Sequence, residues 1–227
     1  MAISEGTRGA QLPGMERGVV HCRVDPYDVY IGRGSKWGNQ FKIGVHGTRK
    51  EVIAKYAEWI NEWEQTSLRR DAHFELRGKT LGCWCSPKSC HGEILYTIAN
   101  RKRICVCGGR EFDDREWVYR HLDKLLTHFE DKKDLIIVHG NARGADTLGK
   151  EWAVSRGIEH DSFPIYKWEW GKYGNYAGHI RNKRMLDSGL DGCIAFPGNN
   201  GTKNMREICA AADVPVMNMT GKKAEYR

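Results

Sequence analysis

Between residues 104 and 219 short apolar runs alternate with helix-length amphipathic patterns, and this alternation restricts the fold more than any other feature. The runs ICVC (104–107), LIIV (135–138), CIAF (193–196) and VPVMNM (214–219) are strand-length and rich in β-branched residues. A weaker fifth run is EHDSFPIY (159–166). None alternates polar with apolar residues, so each strand is expected to be buried on both faces, as in a parallel sheet covered by helices. The intervening patterns supply those helices. Asp113 or Asp114 is placed to cap one that carries Trp117, Val118, Leu122, Leu125 and Leu126 at three- and four-residue spacing. Ala145 to Arg156 carries Leu148, Trp152 and Ala153 and ends at Gly157. Thr202 is predicted to cap the last helix, with Met205, Ile208 and Cys209 inward. The expected fold is a doubly wound α/β domain.

The first half is less regular. HCRVDPYDVYIGRG suggests one or two short strands and a turn, and TRKEVIAKYAEWINEW (48–63) an amphipathic helix with Val52, Ile53, Tyr56, Trp59 and Ile60 inward. Leu76 to Cys85 suggests another strand, with a helix from about His91. The expectation is a smaller α+β domain over residues 1–100, joined through the basic link RKR to an α/β domain over 101–227.

A chain that is 40% hydrophobic and 29% charged is globular rather than disordered. No apolar run approaches the ~18 residues of a membrane span, and the N-terminal sequence MAISEGTRGAQLPG lacks the apolar core of a secretory signal. A cytoplasmic location and no membrane partner are expected, and with them eight reduced cysteines. The net charge of +7 suits polyanionic ligands. It is spread along the chain rather than gathered in a basic arm, which disfavours a nucleic-acid-binding tail.

In an open parallel sheet, ligands bind beyond the carboxyl ends of the strands, where helix N-termini offer unpaired amides and a positive dipole end. Four glycine-containing segments occupy such places. They are Gly108-Gly109-Arg110, the run from His139 to Asp146, the run from Ala177 to Asn182, and the run from Phe196 to Thr202. Glycine allows a backbone to approach an anion closely. Arg110, Arg143 and Arg181 are planar forks suited to phosphate, and Thr202 adds a hydroxyl. Asp146 either takes a ribose hydroxyl or orients an arginine. Taken singly, each segment reads equally as a tight turn; four on one sheet edge point jointly to a nucleotide pocket.

The order C-G-G-R, V-H-G-x-A-R-G-A-D, A-G-x-I-R-N-K-R-M, A-F-P-G-N-N-G-T resembles the YspA/YpsA-related branch of the SLOG superfamily, from about Arg103 to Met219. The resemblance implies a Rossmann-like domain that binds a nucleotide or a nucleotide-derived small molecule. It implies a site built from Gly108, Gly109, Arg110, Gly140, Arg143, Gly144, Asp146, Arg181, Asn182, Gly198, Gly201 and Thr202.

Relatives in that superfamily include phosphoribohydrolases of the lonely-guy type, whose P-G-G-x-G-T-x-E-E motif carries acidic residues two and three positions after the threonine. Here those positions are Asn204 and Met205. Cleaving an N-glycosidic bond calls for a nearby carboxylate. Glu207 is the candidate on the same helix, with Asp146 and Arg181 beside it; Glu111 and Asp113 are further substitutes. Hydrolysis of a nucleoside phosphate and binding without turnover therefore both stand. Single-stranded nucleic acid is a third reading, favoured by net charge and by the aromatics Tyr166, Trp168, Trp170, Tyr173 and Tyr176, which either stack a base or pack a long loop. Homo-oligomerisation is left open.

Cys105, Cys107, Cys193 and Cys209 lie in apolar stretches and read as small buried hydrophobes. Cys83, Cys85, Cys90 and His91 do not: three thiols and an imidazole within nine residues are ligands for tetrahedral zinc. Reactive thiols and structural packing are the alternatives. A helix starting at His91 would lower the thiol pKa of Cys90. Val29 to Asn39, together with Leu76-Arg77-Gly78-Lys79 and the segment from Leu81 to Gly92, resembles domain of unknown function 4326, over about residues 18–99. That resemblance brings no activity. Arg33, Lys36 and Asn39 on its glycine-rich turn either hold an anion or form a surface turn.

Overall fold

The computed structural model describes residues 18–220. The chain packs as two units, one reaching to Gln65 and joined by Leu76–Tyr96, the other comprising Thr66–Glu75 and the chain from Thr97 onward. The division is thus not a single cut, because a ten-residue helix from the first half packs with the second.

In the first unit, β1 (Val19–His21), β2 (Val29–Tyr30) and β3 (Leu81–Cys83) form a sheet in the order β1-β3-β2. Both pairings are parallel, a regularity not legible from strands two or three residues long. α1 (Arg49–Asn61) begins with a capping box: Thr48 accepts from the Glu51 amide, and the Glu51 carboxylate accepts from the Thr48 amide. Its inner face buries Val52, Tyr56 and Ile60. α3 (His91–Asn100) starts directly after the cysteine-rich loop.

The second unit holds β4 (Lys102–Cys107), β5 (Leu135–His139), β6 (Glu159–Ser162), β7 (Gly192–Ala195) and β8 (Val216–Asn218) in the order β6-β5-β4-β7-β8, all parallel. Numbered within this unit the order is 3-2-1-4-5, so the chain reverses its winding between β4 and β7. Each helix sits on the face its apolar stripe selects. α4 (Arg115–Leu126) and α5 (Ala145–Arg156) bury Trp117, Val118, Leu122 and Trp152 against Val106, Ile137 and Ile194. On the other face α7 (Ala177–Asp187) and α8 (Asn200–Ala211) bury Met185, Met205 and Cys209 against Cys105, Cys107, Val138 and Cys193. The four cysteines of these stretches are buried free thiols, as their apolar surroundings predict.

Asp114 caps α4, its carboxylate accepting from the Trp117 amide at 3.0 Å. α5 ends at Gly157, whose φ of 64° is left-handed. The cap of α8 corrects an expectation: Asn199 is the N-cap, and Thr202 lies inside the first turn, buried. The helix α2 (Thr66–Glu75) was not foreseen, because its sequence TSLRRDAHFE has few apolar residues. It is held by polar contacts, with Arg70 Nε 3.1 Å from Asp161 Oδ2 and His73 Nε2 2.9 Å from the Gly189 carbonyl. α6 (Lys167–Tyr173) completes the third crossover.

Candidate functional site

Where the sheet reverses its winding, β4 and β7 stay paired to their carboxyl ends, and the glycine turns that follow them are stitched together. The Gly109 amide donates to the Pro197 carbonyl at 2.8 Å, and the Phe196 amide to the Cys107 carbonyl at 2.8 Å. A Cβ on Gly198 would stand 2.5 Å from the Gly109 nitrogen, so the approach depends on the missing side chain. Gly144 meets the same loop from the other side. It has a φ of +79°, and a Cβ there would lie 2.0 Å from the Gly109 carbonyl oxygen.

A cavity of about 710 Å³ opens at this place. Gly108, Gly109 and Arg110 contribute from the first turn, Gly198, Gly201 and Thr202 from the turn into α8, and Arg181 and Asn182 from α7. The first turn of α8 has no side-chain cap, which leaves its N-terminal amides to a ligand. Asn182 positions that turn: its Nδ2 donates to the Gly201 carbonyl and to Asn204 Oδ1, each at 3.0 Å. Phe112 and Asn175 also line the cavity and were not singled out from sequence. Phe112 had a signal, an apolar residue directly after a polar turn, and its ring packs 5.4 Å from that of Phe196.

Asp146 is buried at the base of α5. One carboxylate oxygen accepts from the Gly140 amide at 2.8 Å and lies 3.5 Å from Arg181 Nη1. It therefore fixes the loop and orients the arginine. Burial pushes its carboxyl up to about 6, with Arg181 opposing that rise. Arg181 also donates from Nε to Asn182 Oδ1 at 3.1 Å, which leaves its Nη2 outside these bonds. Gly140 is not a wall residue; a Cβ there would sit 1.3 Å from Arg181 Nη1, so the guanidinium occupies the space a side chain would fill.

Besides Gly140 and Gly144, the charged sequence candidates Arg143 and Glu207 are not on the cavity wall. Arg143 is exposed and pairs with Glu111 at 2.7 Å. Glu207 points to solvent beside Lys203, 3.8 Å away, and its assignment as a catalytic carboxylate is corrected accordingly. Five residues beyond Thr202 on a helix is a rotation of roughly 140°, so the two cannot share a face. The carboxylates that do line the cavity are Glu111 and Asp146. Of the third-crossover aromatics, Tyr166, Trp168, Trp170 and Tyr176 are exposed rather than core, and Trp170 is a wall residue with the Arg110 guanidinium 5.6 Å from its ring centre.

Behind the cavity floor, Asn141 donates its amide to His139 Nδ1 at 3.1 Å, so the proton of that buried ring is on Nε2, 3.2 Å from His160 Nδ1. Burial, with the His160 ring beside it, lowers the pKa of His139 to about 4.

In the first unit the ligand atoms of Cys83, Cys90 and His91 all lie within 4.8 Å of one another, a group that could hold a metal ion. Cys85 is not one of that group, although its thiol interacts with Cys83 and Arg49. Cys90 Sγ accepts the Gly92 amide at 3.2 Å in the first turn of α3. The hydrogen bond from Cys83 and this amide lower the Cys90 pKa, while the same sulfur–sulfur bond and burial raise that of Cys83. His91 Nε2 lies 2.9 Å from the Ile31 carbonyl. In the second unit Cys105, Cys107 and Cys193 form a comparable group.

Two family models match the chain: domain of unknown function 4326 at residues 17–101, and the YspA, cpYpsA-related SLOG family at residues 102–169. The Gene 61 protein of Mycobacterium phage D29 is 34% identical over 129 residues, covering 53% of this chain and 98% of that protein. An uncharacterized 12.4 kDa protein from the nrdA-td intergenic region of Enterobacteria phage T4 is 39% identical over 87 residues, 35% of this chain and 79% of that protein. Among solved structures, DNA processing protein A of Streptococcus pneumoniae aligns with a TM-score of 0.44 at 17% identity, over 58% of this chain. This chain spans about half of that structure, 54%.

Proposed function

Because this chain belongs to the domain of unknown function 4326 family through residues 17–101 and to the YspA, cpYpsA-related SLOG family through residues 102–169, we propose that its second unit binds a nucleotide or nucleotide-derived small molecule. The observation that carries this reading is the coincidence of the β4/β7 reversal with the uncapped start of α8 and the Arg181 guanidinium on one cavity wall. Helix amides and a planar cation suit a phosphate. Trp170 offers a ring face at the same wall for a base.

The binding is read as non-catalytic, that of a sensor or a sequestering protein. Glu207 is remote from the cavity, and Asp146 is engaged in holding the loop. Hydrolysis of an N-glycosidic bond would fall to Glu111, which is exposed and paired with Arg143. The exposed aromatics of the third crossover favour single-stranded nucleic acid as the second reading.

For the first unit we infer zinc as the ion that Cys83, Cys90 and His91 would hold. Two thiolates and an imidazole match its preference.

The test is titration of the full chain with nucleoside mono- and diphosphates, followed by chromatography for released base. Saturable binding with intact nucleotide is expected. Stoichiometric release of base would replace the sensor reading with hydrolysis. Binding confined to oligonucleotides, weakening steeply with salt, would replace it with the nucleic-acid reading.

A further inference from the structure

The first unit contains a cavity of about 410 Å³, within the size range of small-molecule sites. Cys83, Cys90 and His91 form part of its wall. Phe41, Ile43, Val52 and Ile53 supply apolar surface, and Arg33 and Arg49 supply two cations. No aspartate or glutamate is among its described wall residues, so the cavity has a net positive lining.

We propose that this cavity and the thiol–imidazole group are one ligand site, in which an ion on Cys83, Cys90 and His91 keeps a coordination position open to a small anionic molecule with an apolar body. The inference rests on reading those three residues as a metal site. The tautomer of His91 suits that role. A carbonyl can only accept, so Nε2 carries the proton toward Ile31 and Nδ1 keeps the lone pair that a metal would take. The Tyr56 ring, 5.0 Å from that of His91, packs its edge and holds the plane.

Three ligands rather than four is the decisive feature. Sites closed by four protein ligands are structural, whereas three leave a position for water or substrate. Cys85 lines the same cavity and interacts with Cys83 and Arg49, but its sulfur stands outside the compact group of three. Arg49 also donates from Nη1 to the Ser89 carbonyl at 3.3 Å, which holds its guanidinium at the cavity wall. Arg33 and Arg49 share the cavity wall with the thiol–imidazole group, so an anion entering the cavity would find cations as well as the open position.

Cobalt(II) loading of the reduced, chelator-treated full chain provides the test, because thiolate–cobalt absorption reports both the ligand set and an open position. One cobalt per chain is expected, with bands that shift on adding thiocyanate or inorganic phosphate. Cys85→Ser should keep the cobalt spectrum, and Cys83→Ser should lose it. Arg33→Ala, and separately Arg49→Ala, should keep the cobalt but lose most of the anion response; circular dichroism confirms that each variant is folded. Absence of cobalt from the wild type, or a spectrum that survives Cys83→Ser, overturns the metal reading itself. Cobalt bound with bands indifferent to both anions and abolished by Cys85→Ser preserves the metal but overturns the open site.

Discussion

A single oxygen of Asp146 sits 2.8 Å from the Gly140 nitrogen and 3.5 Å from Arg181 Nη1, so one buried carboxylate both closes a loop and aims the cation that faces the cavity. Of the roles the sequence leaves open for Asp146, ribose ligand, catalyst or orienter of an arginine, the contact with Arg181 matches the last.

Arg181 and Arg143 should behave differently, although both are arginines in motif segments. Arg181→Ala removes a largely buried cation from the cavity wall and should weaken nucleotide binding by about 1.5–3 kcal/mol, roughly tenfold or more. Arg143→Ala breaks only an exposed pair with Glu111, worth at most about 1 kcal/mol to stability, and should change affinity by about twofold or less. Equal losses in a titration of the two variants would contradict the assignment.

Asp146 and His139 should impose opposite pH slopes on stability. The Asp146 pKa is raised by burial from 3.8 to about 6, so the folded state favours its protonated form. Its contribution is most favourable below pH 4 and falls by about 3 kcal/mol as pH rises through 6. The His139 pKa is lowered by burial from 6.5 to about 4, so the folded state favours its neutral form. Its contribution is fully present above pH 6.5 and is lost, again by about 3 kcal/mol, as pH falls through 4. Urea unfolding between pH 4 and 7 checks both. Relative to wild type, Asp146→Asn should gain stability with rising pH and His139→Asn should lose it.

The stitching of the two turns is also testable. Gly144→Ala puts a side chain on a residue at φ +79° and 2.0 Å from the Gly109 carbonyl oxygen, a backbone clash that no rotamer relieves. It should cost on the order of 1–3 kcal/mol, read as a lower unfolding midpoint. An unchanged midpoint would mean that the loops are not held together as described.

Much of this was legible in the sequence. Four of the five strands of the second unit announce themselves as apolar runs, β6 carries only the weaker signal of EHDSFPIY, and the helix over Ala145–Arg156 is bounded by its own cap residue. The four glycine turns were readable as a group, because strand ends in such a fold converge. Orientation within a turn was not readable: Arg143 and Gly140 are three residues apart, yet Gly140 packs against Arg181 on the cavity wall while Arg143 is exposed and off it. Glu207 was decipherable in principle, since Thr202, Met205 and Cys209 mark the buried stripe of α8 and Glu207 falls off it. α2 and the parallel pairing of β1, β2 and β3 depend on polar tertiary contacts and on backbone pairing, for which local hydrophobic pattern carries no signal.

Calorimetric titration of Gly140→Ala with the nucleoside phosphate that binds the wild type most tightly is the most direct examination of the central claim. The added methyl group displaces the Arg181 guanidinium and breaks its pair with the buried Asp146, so the unfolding midpoint should fall below wild type while the protein still folds. Displacing the guanidinium should weaken binding about tenfold or more, while Gly171→Ala, with open space at its Cβ and outside the cavity wall, should bind as wild type. A wild type that binds no nucleoside phosphate, or a folded Gly140→Ala protein with undiminished affinity, would contradict a phosphate site at the β4/β7 reversal.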